Sequence, residues 1–229
     1  MNSKLGKILR IIAIVFMGLT AAMNIFSGAG TTCAAFLTKD FPPYWVLITS
    51  GVQWLFQTFV VFTLLFGLLG IWAVIQLVRG KENAYRNALI LLILGTLVNG
   101  VHVYASNHYL DNIMPIAVTF FLNLITLIYF LILKIPGLKV NFSRANDAND
   151  KEMASGMTAI IAGIVALTMP VWAGPTHMFD GGNYINDYLV YVNFAGVALT
   201  LGGVTLILHV LVKLFAQEIN ALKVRVLGN

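Results

Sequence analysis

Residues 87–134 read NALILLILGTLVNGVHVYASNHYLDNIMPIAVTFFLNLITLIYFLILK, and this stretch decides the fold. Before its final lysine it contains one charged residue, Asp111, which separates two apolar runs. The hydrocarbon core of a bilayer is about 30 Å thick, and a helix of roughly 20 apolar residues crosses it. Each run therefore predicts one membrane-spanning helix, and Asp111 lies in the gap between the two.

The same pattern extends over the rest of the chain. Hydrophobic residues make up 59% of the 229 residues, charged residues only 10%, and the mean hydropathy is +0.86. Soluble domains carry about 25% charged residues, so we expect an all-α, polytopic transmembrane bundle that forms a single domain over residues 1–229. The predicted spans are residues 8–28, 52–78, 87–106, 114–134, 153–173 and 188–212.

Three local features add detail to the predicted arrangement of spans. Residues 28–33, Gly-Ala-Gly-Thr-Thr-Cys, are expected to form a turn that caps the first span. Residues 135–152 are predicted to be a loop between a four-span part and a two-span hairpin, because they begin with Pro-Gly and contain a polar run. Pro170 should kink or fray the outer end of the fifth span.

The basic residues alternate between the gaps. Thirteen of the 14 lysines and arginines fall on one face of a six-span model, and Lys39 is the exception. The positive-inside rule makes that face cytoplasmic, which predicts a multi-pass protein of the cell membrane with both termini in the cytoplasm. The net charge of +5 is explained by this topology. The expected partners are therefore the lipid bilayer and other membrane subunits or a second copy of the chain, and not a nucleic acid.

Polar residues recur on one face of several predicted spans, three or four residues apart. One interpretation is that they join helices by hydrogen bonds. However, several of them fall in the outer half of the membrane, which predicts a polar pocket open to the outside. The predicted pocket residues are Asn24, Gln53, Gln57, Asn99, His102 and Asn193.

The sequence contains no catalytic signature and does not identify a cofactor. The single cysteine, Cys33, excludes a two-cysteine redox motif. With His108 and His177 it belongs to a set of outer-side candidate metal ligands, but their spacing matches no metal-binding motif. His102 and His209 lie toward opposite faces of the membrane, which disfavours a haem held between them.

These observations favour a membrane-complex subunit, scaffold or binding module without enzymatic chemistry. Its pocket would hold a lipid, a quinone or a small polar ligand. Two alternatives stay open. The polar stripes could line the path of a small transporter or channel for an uncharged or weakly charged solute, or His102 could serve a cofactor-bearing electron-transfer subunit.

Overall fold

The computed structural model describes residues 4–39, 42–135, 138, 140–142, 148–174, 178–179 and 182–227. These residues form eight α-helices with short 3₁₀ turns and one antiparallel pairing of two-residue strands, Met178–Phe179 with Gly182–Asn183. The prediction of an all-α helical bundle is confirmed. The α-helices are α1 (Lys4–Phe36), α2 (Trp45–Thr49), α3 (Gln53–Arg79), α4 (Ala84–Leu110), α5 (Ile116–Leu133), α6 (Ala148–Leu167), α7 (Met169–Trp172) and α8 (Leu189–Leu227).

Five of the described helical segments are long and apolar enough to cross a membrane. They are Leu5–Phe36, Gln53–Arg79, Ala84–Leu110, Ile116–Leu133 and Asn186–Gln217. They coincide with five of the six predicted spans. The sixth, 153–173, corresponds to α6 and α7, and α6 does not meet the same criterion within the described residues. Asp150, Lys151 and Glu152 lie near its start, and its apolar part reaches only about 22 Å before the helix breaks at Thr168.

Helices α1, α3, α4 and α5 form a four-helix bundle. α1 packs against α3 and α5, and α4 packs against the same two helices. At one end of this bundle, Arg10 donates hydrogen bonds to the Leu77 carbonyl at 3.0 Å and to the Asn141 carbonyl at 3.2 Å. The start of α1 and the end of α3 therefore meet at this end of the bundle. We call this the basic end.

Helices α6 and α8 form a separate hairpin, which contacts the bundle through the packing of α6 on α1. Glycines allow these close approaches. A Cβ atom added at Gly203 of α8 would lie 2.5 Å from the carbonyl oxygen of Gly156 on α6, and one at Gly196 would lie 3.0 Å from the carbonyl oxygen of Gly163. The helix backbones are therefore in direct contact, as small residues permit in membrane helix pairs.

Two local predictions are wrong. Residues 28–33 do not end the first helix, because α1 continues to Phe36. The hydroxyls of Thr31 and Thr32 satisfy carbonyls one turn back, at 2.8 and 3.1 Å, so these residues continue the helix without unpaired side chains. The loop predicted at 135–152 ends earlier, because α6 begins at Ala148, where Asp150 lies in the first turn and 3.2 Å from Lys7.

The predicted break near Pro170 is confirmed. α6 ends at Leu167, and Pro170 lies in the separate four-residue helix α7. Proline lacks the amide hydrogen that would continue the helix ladder.

Candidate functional site

A column of polar side chains runs through the interior of the four-helix bundle. Near its centre the hydroxyls of Thr20 and Thr126 are 2.9 Å apart, which joins α1 to α5. One turn along α1, the side chain of Asn24 donates to the Thr20 carbonyl at 2.8 Å and accepts from the Asn99 amide at 3.1 Å. All four side chains are buried. The column therefore links three helices by side-chain hydrogen bonds.

Helix α5 contributes two further members. Thr119 donates to the Met23 carbonyl of α1 at 3.3 Å, and Asn123 donates to the Thr119 carbonyl at 2.9 Å. A Cβ atom added at Gly95 of α4 would lie 2.8 Å from Oδ1 of Asn123. The small residue at 95 thus lets the amide pack directly against α4.

His102 continues the α4 side of the column, one turn beyond Asn99. Its side chain is only 1% exposed. The imidazole is stacked on the ring of Phe59, with centroids 4.3 Å apart and an interplanar angle of 14°, and it meets Phe56 edge-on at 5.9 Å. Its Nδ1 atom has no hydrogen-bond partner among the described residues. A buried ring nitrogen without a protein partner is unusual, because burial of an unpaired polar atom costs free energy.

Other buried polar atoms of the bundle also lack a hydrogen-bond partner. Within the described part of the chain, no hydrogen bond is formed by Oδ1 of Asn99 or by the hydroxyls of Ser27, Thr63 and Thr96. These residues lie on α1, α3 and α4. The bundle interior thus offers several donors and acceptors that the described residues do not pair.

A cavity of about 100 Å³ opens beside His102, at the end of the bundle opposite the basic end. The polar residues that line it are Thr31, Tyr44, His102, Ser106 and Asn112. Phe56, Leu110, Pro115 and Ile116 form much of the apolar wall. Among the described residues, no Asp, Glu, Lys or Arg contributes to the lining. The described lining is therefore polar but uncharged.

Tyr44 lies outside the spanning helices, in the 3₁₀ turn Pro42–Tyr44. Burial raises the pKa of Tyr44 to about 12, and the neighbouring Cys33 adds to the rise. Its phenol stays protonated at neutral pH, and the residue lines the cavity.

The structure brings together three of the six predicted pocket residues. Asn24, Asn99 and His102 lie in the column. Gln53 and Gln57 instead donate to the Ala35 carbonyl, at 3.0 and 3.3 Å, where α1 approaches its end. Their amides share one backbone acceptor that the helix end leaves without an intrahelical partner.

Asn193 does not join this group. It is exposed on α8, whose main packing partner is α6 rather than the bundle. Asn193, Gly196, Thr200 and Gly203 recur three or four residues apart along α8, and the last three of them contact α6. The predicted convergence of Asn193 with the other pocket residues is wrong for this reason.

The candidate metal ligands are dispersed. Cys33 is half-buried on α1, whereas His108 is exposed and stacked beside Tyr104. His177 lies outside the described residues. Among the residues that are described, no group of three His, Cys, Asp or Glu side chains could hold a metal ion.

Four polar residues that line the cavity were not predicted from the sequence. Thr31 continues the spacing of Thr20 and Asn24 along α1, and Ser106 continues that of His102 along α4. Extending the two stripes would have found them. Tyr44 and Asn112 come from connecting segments, so no helical period could indicate them.

No family model matches this chain, and no curated protein or solved structure is significantly similar to it.

Proposed function

We propose that this chain is a multi-pass membrane protein whose four-helix bundle binds a small uncharged polar ligand beside His102. One observation carries the proposal. A fully buried imidazole borders a cavity of about 100 Å³, and its Nδ1 has no partner among the described residues. A ligand group that forms a hydrogen bond with this nitrogen would supply the missing partner. Binding would then recover the free energy that burial of the unpaired atom costs.

The lining favours an uncharged ligand. A charged group would lose its hydration in the cavity without meeting an opposite charge among the described lining residues. A neutral carbonyl or hydroxyl would find donors and acceptors on Thr31, Ser106 and Asn112, while a ring would contact Phe56. The head group of a quinone has both features. A charged phosphate head group does not suit this cavity.

The proposed orientation follows from the charges. The basic end collects Arg79 at the end of α3, Lys81 in the turn that follows and Arg86 in the first turn of α4. The cavity beside His102 lies at the other end. By the positive-inside rule the basic end is cytoplasmic and the cavity opens to the outer face. In this proposal α6 also crosses the membrane, so the chain has six spans and both termini in the cytoplasm.

A binding experiment tests the proposal. The purified protein in mild detergent is titrated with a water-soluble benzoquinone, and binding is read as a rise in the unfolding temperature. We expect His102→Leu to remove the rise, and Asn193→Leu, a change at an exposed amide on α8, to leave it intact. Native mass spectrometry of the same samples reports any other small molecule that copurifies. Equal binding by His102→Leu and the wild type would refute the assignment of His102.

A second candidate function is passage of an uncharged solute. It is favoured by the continuity of the polar column, which extends from the cavity past Asn99 and Asn24 to the Thr20 and Thr126 pair. Liposomes that contain the protein should then swell faster in a glycerol gradient than empty liposomes. Asn99→Leu should abolish the difference, because it places an apolar side chain in the path. Swelling equal to that of empty liposomes would exclude glycerol passage and leave the binding function.

A further inference from the structure

A second cavity lies at the basic end, in a groove between α3 and α4. Its volume is about 420 Å³. The lining includes Trp72, Gln76, Arg79, Lys81, Glu82 and Asn87. It shares no lining residue with the cavity beside His102.

The polar part of this groove is organised for an anion. Arg79 and Lys81 provide two positive charges and Glu82 one negative charge, which gives a net formal charge of +1. Asn87 donates to Oε1 of Gln76 at 2.8 Å, so the two helices hold these amides together. A phosphate would gain charge-assisted hydrogen bonds from the arginine and lysine. The groove lies at the carboxyl end of α3 and the amino end of α4, so the two helix dipoles act on an anion in opposite directions. The charges of Arg79 and Lys81 are therefore the main attraction.

The apolar part of the groove continues down both helices. On α3, exposed side chains follow one face from Ile75 (43% exposed) through Trp72 (46%) to Leu68 (62%). On α4, the exposed residues Ile90 and Leu94 follow Asn87 at helical spacing. Both helices are long and apolar enough to cross a bilayer. An apolar track of this kind that ends at two cations matches an acyl chain joined to a phosphate.

We propose that this groove binds one anionic glycerophospholipid. The phosphate lies between Arg79 and Lys81, and an acyl chain follows the exposed faces of α3 and α4. A soluble phosphate would use only the polar part of the groove, whereas the apolar track gives a lipid additional contact area. The site is independent of the proposed ligand at His102 and survives if that proposal fails.

Native mass spectrometry of the detergent-purified full chain tests the site, with phosphatidylglycerol as the probe. A cation that lies beside an anionic lipid head group contributes about fivefold to the affinity, and the contribution falls with distance. We therefore expect Arg79→Gln and Lys81→Gln each to weaken binding about fivefold, and the pair to weaken it about 25-fold. Glu82→Gln should tighten binding, because it removes a negative charge from the lining. Arg79→Lys should retain most of the affinity.

Arg86→Gln is the matched control. Arg86 lies in the same basic region and is exposed, but it does not line the groove. Its substitution should change the affinity less than twofold. Equal losses from Arg86→Gln and Arg79→Gln would show that only the net charge matters and would overturn the site. Equal affinity for phosphatidylcholine of the same chain length, or for glycerophosphoglycerol without acyl chains, would also overturn it.

Discussion

Asn99 and Asn24 are joined side chain to side chain, with Nδ2 of Asn99 3.1 Å from Oδ1 of Asn24. The bond connects α4 to α1 across 75 positions of sequence and lies wholly inside the bundle. Both residues were predicted from the spacing of polar residues in the sequence. A side-chain hydrogen bond between membrane helices contributes about 0.6 kcal/mol on average and up to about 1.7 kcal/mol.

A double-mutant cycle measures this contribution. We expect Asn24→Ala and Asn99→Ala to show a coupling free energy of about 0.6 to 1.7 kcal/mol, because each substitution removes the same bond. The measurement is reversible unfolding in detergent or bicelles. The control cycle pairs Asn99→Ala with Gln53→Ala, which bonds to Ala35 and Thr38 instead, and it should be additive within about 0.5 kcal/mol. Equal coupling in both cycles would contradict the direct contact.

The sequence predicts the column better than it predicts the rest of the site. Asn24, Asn99 and His102 could be identified because an amide or imidazole in an apolar span must face the protein interior, and helical spacing indicates which face that is. The roles of Gln53 and Gln57 could not, since their acceptor is a backbone carbonyl near the end of α1, whose position depends on tertiary packing. Tyr44 reaches the cavity through a turn between helices and has no periodic signal.

The fold likewise combines features that the sequence predicts with features that depend on tertiary packing. Apolar length alone located five helices, because hydrocarbon thickness fixes that length. Asn193 was misplaced because the small residues beside it pack against α6, and the sequence does not say which helix a stripe will meet. The polar composition of 28–33 suggested a turn, but threonine hydroxyls there bond within the helix.

The contact between α6 and α8 makes a prediction about two adjacent glycines. A Cβ atom at Gly203 would lie 2.5 Å from the Gly156 carbonyl oxygen, whereas one at Gly202 would meet nothing within 4 Å. We expect Gly203→Ala to destabilise the protein by about 1 to 3 kcal/mol, through forced separation of the two helices. Gly202→Ala should be neutral or slightly stabilising, since alanine favours the helix. Unfolding temperatures of both variants decide the matter, and similar values would argue against close backbone packing.

The link between Glu152 and α8 should depend on pH. Lys213 lies 3.0 Å from one carboxylate oxygen of Glu152, and Nδ1 of His209 lies 3.2 Å from the other. The hydrogen bond from Lys213 holds the pKa of the Glu152 carboxyl below its ordinary value, with the charges of Lys213 and His209 acting in the same direction. A lowered pKa in the folded state means that the unfolded state binds the proton more readily. The stabilisation is therefore present above the ordinary glutamate pKa and is lost as the pH falls through the lower folded value.

We accordingly expect Glu152→Gln to be less stable than the wild type at pH 7 and to approach it as the pH falls below the ordinary value of 4.5. Unfolding temperatures between pH 7 and pH 3 report this difference. Asp150→Asn is the control, because Asp150 pairs with Lys7 of α1 and not with α8. A stability difference for Glu152→Gln that stays constant down to pH 3 would rule out the ionised link.

The number of spans can be decided with single cysteines. Cys33 is the only cysteine, so Cys33→Ser gives a background without thiols, and the exposed residues Glu82, Asn107 and Asn186 can be replaced one at a time. If the basic end is cytoplasmic and α6 crosses the bilayer, an impermeant maleimide should label Asn107→Cys and Asn186→Cys in intact cells, and Glu82→Cys only after permeabilisation. Asn186→Cys is the decisive position because it precedes α8 directly. If it reacts only after permeabilisation while Asn107→Cys reacts at once, α6 lies on the cytoplasmic side and the chain has five spans.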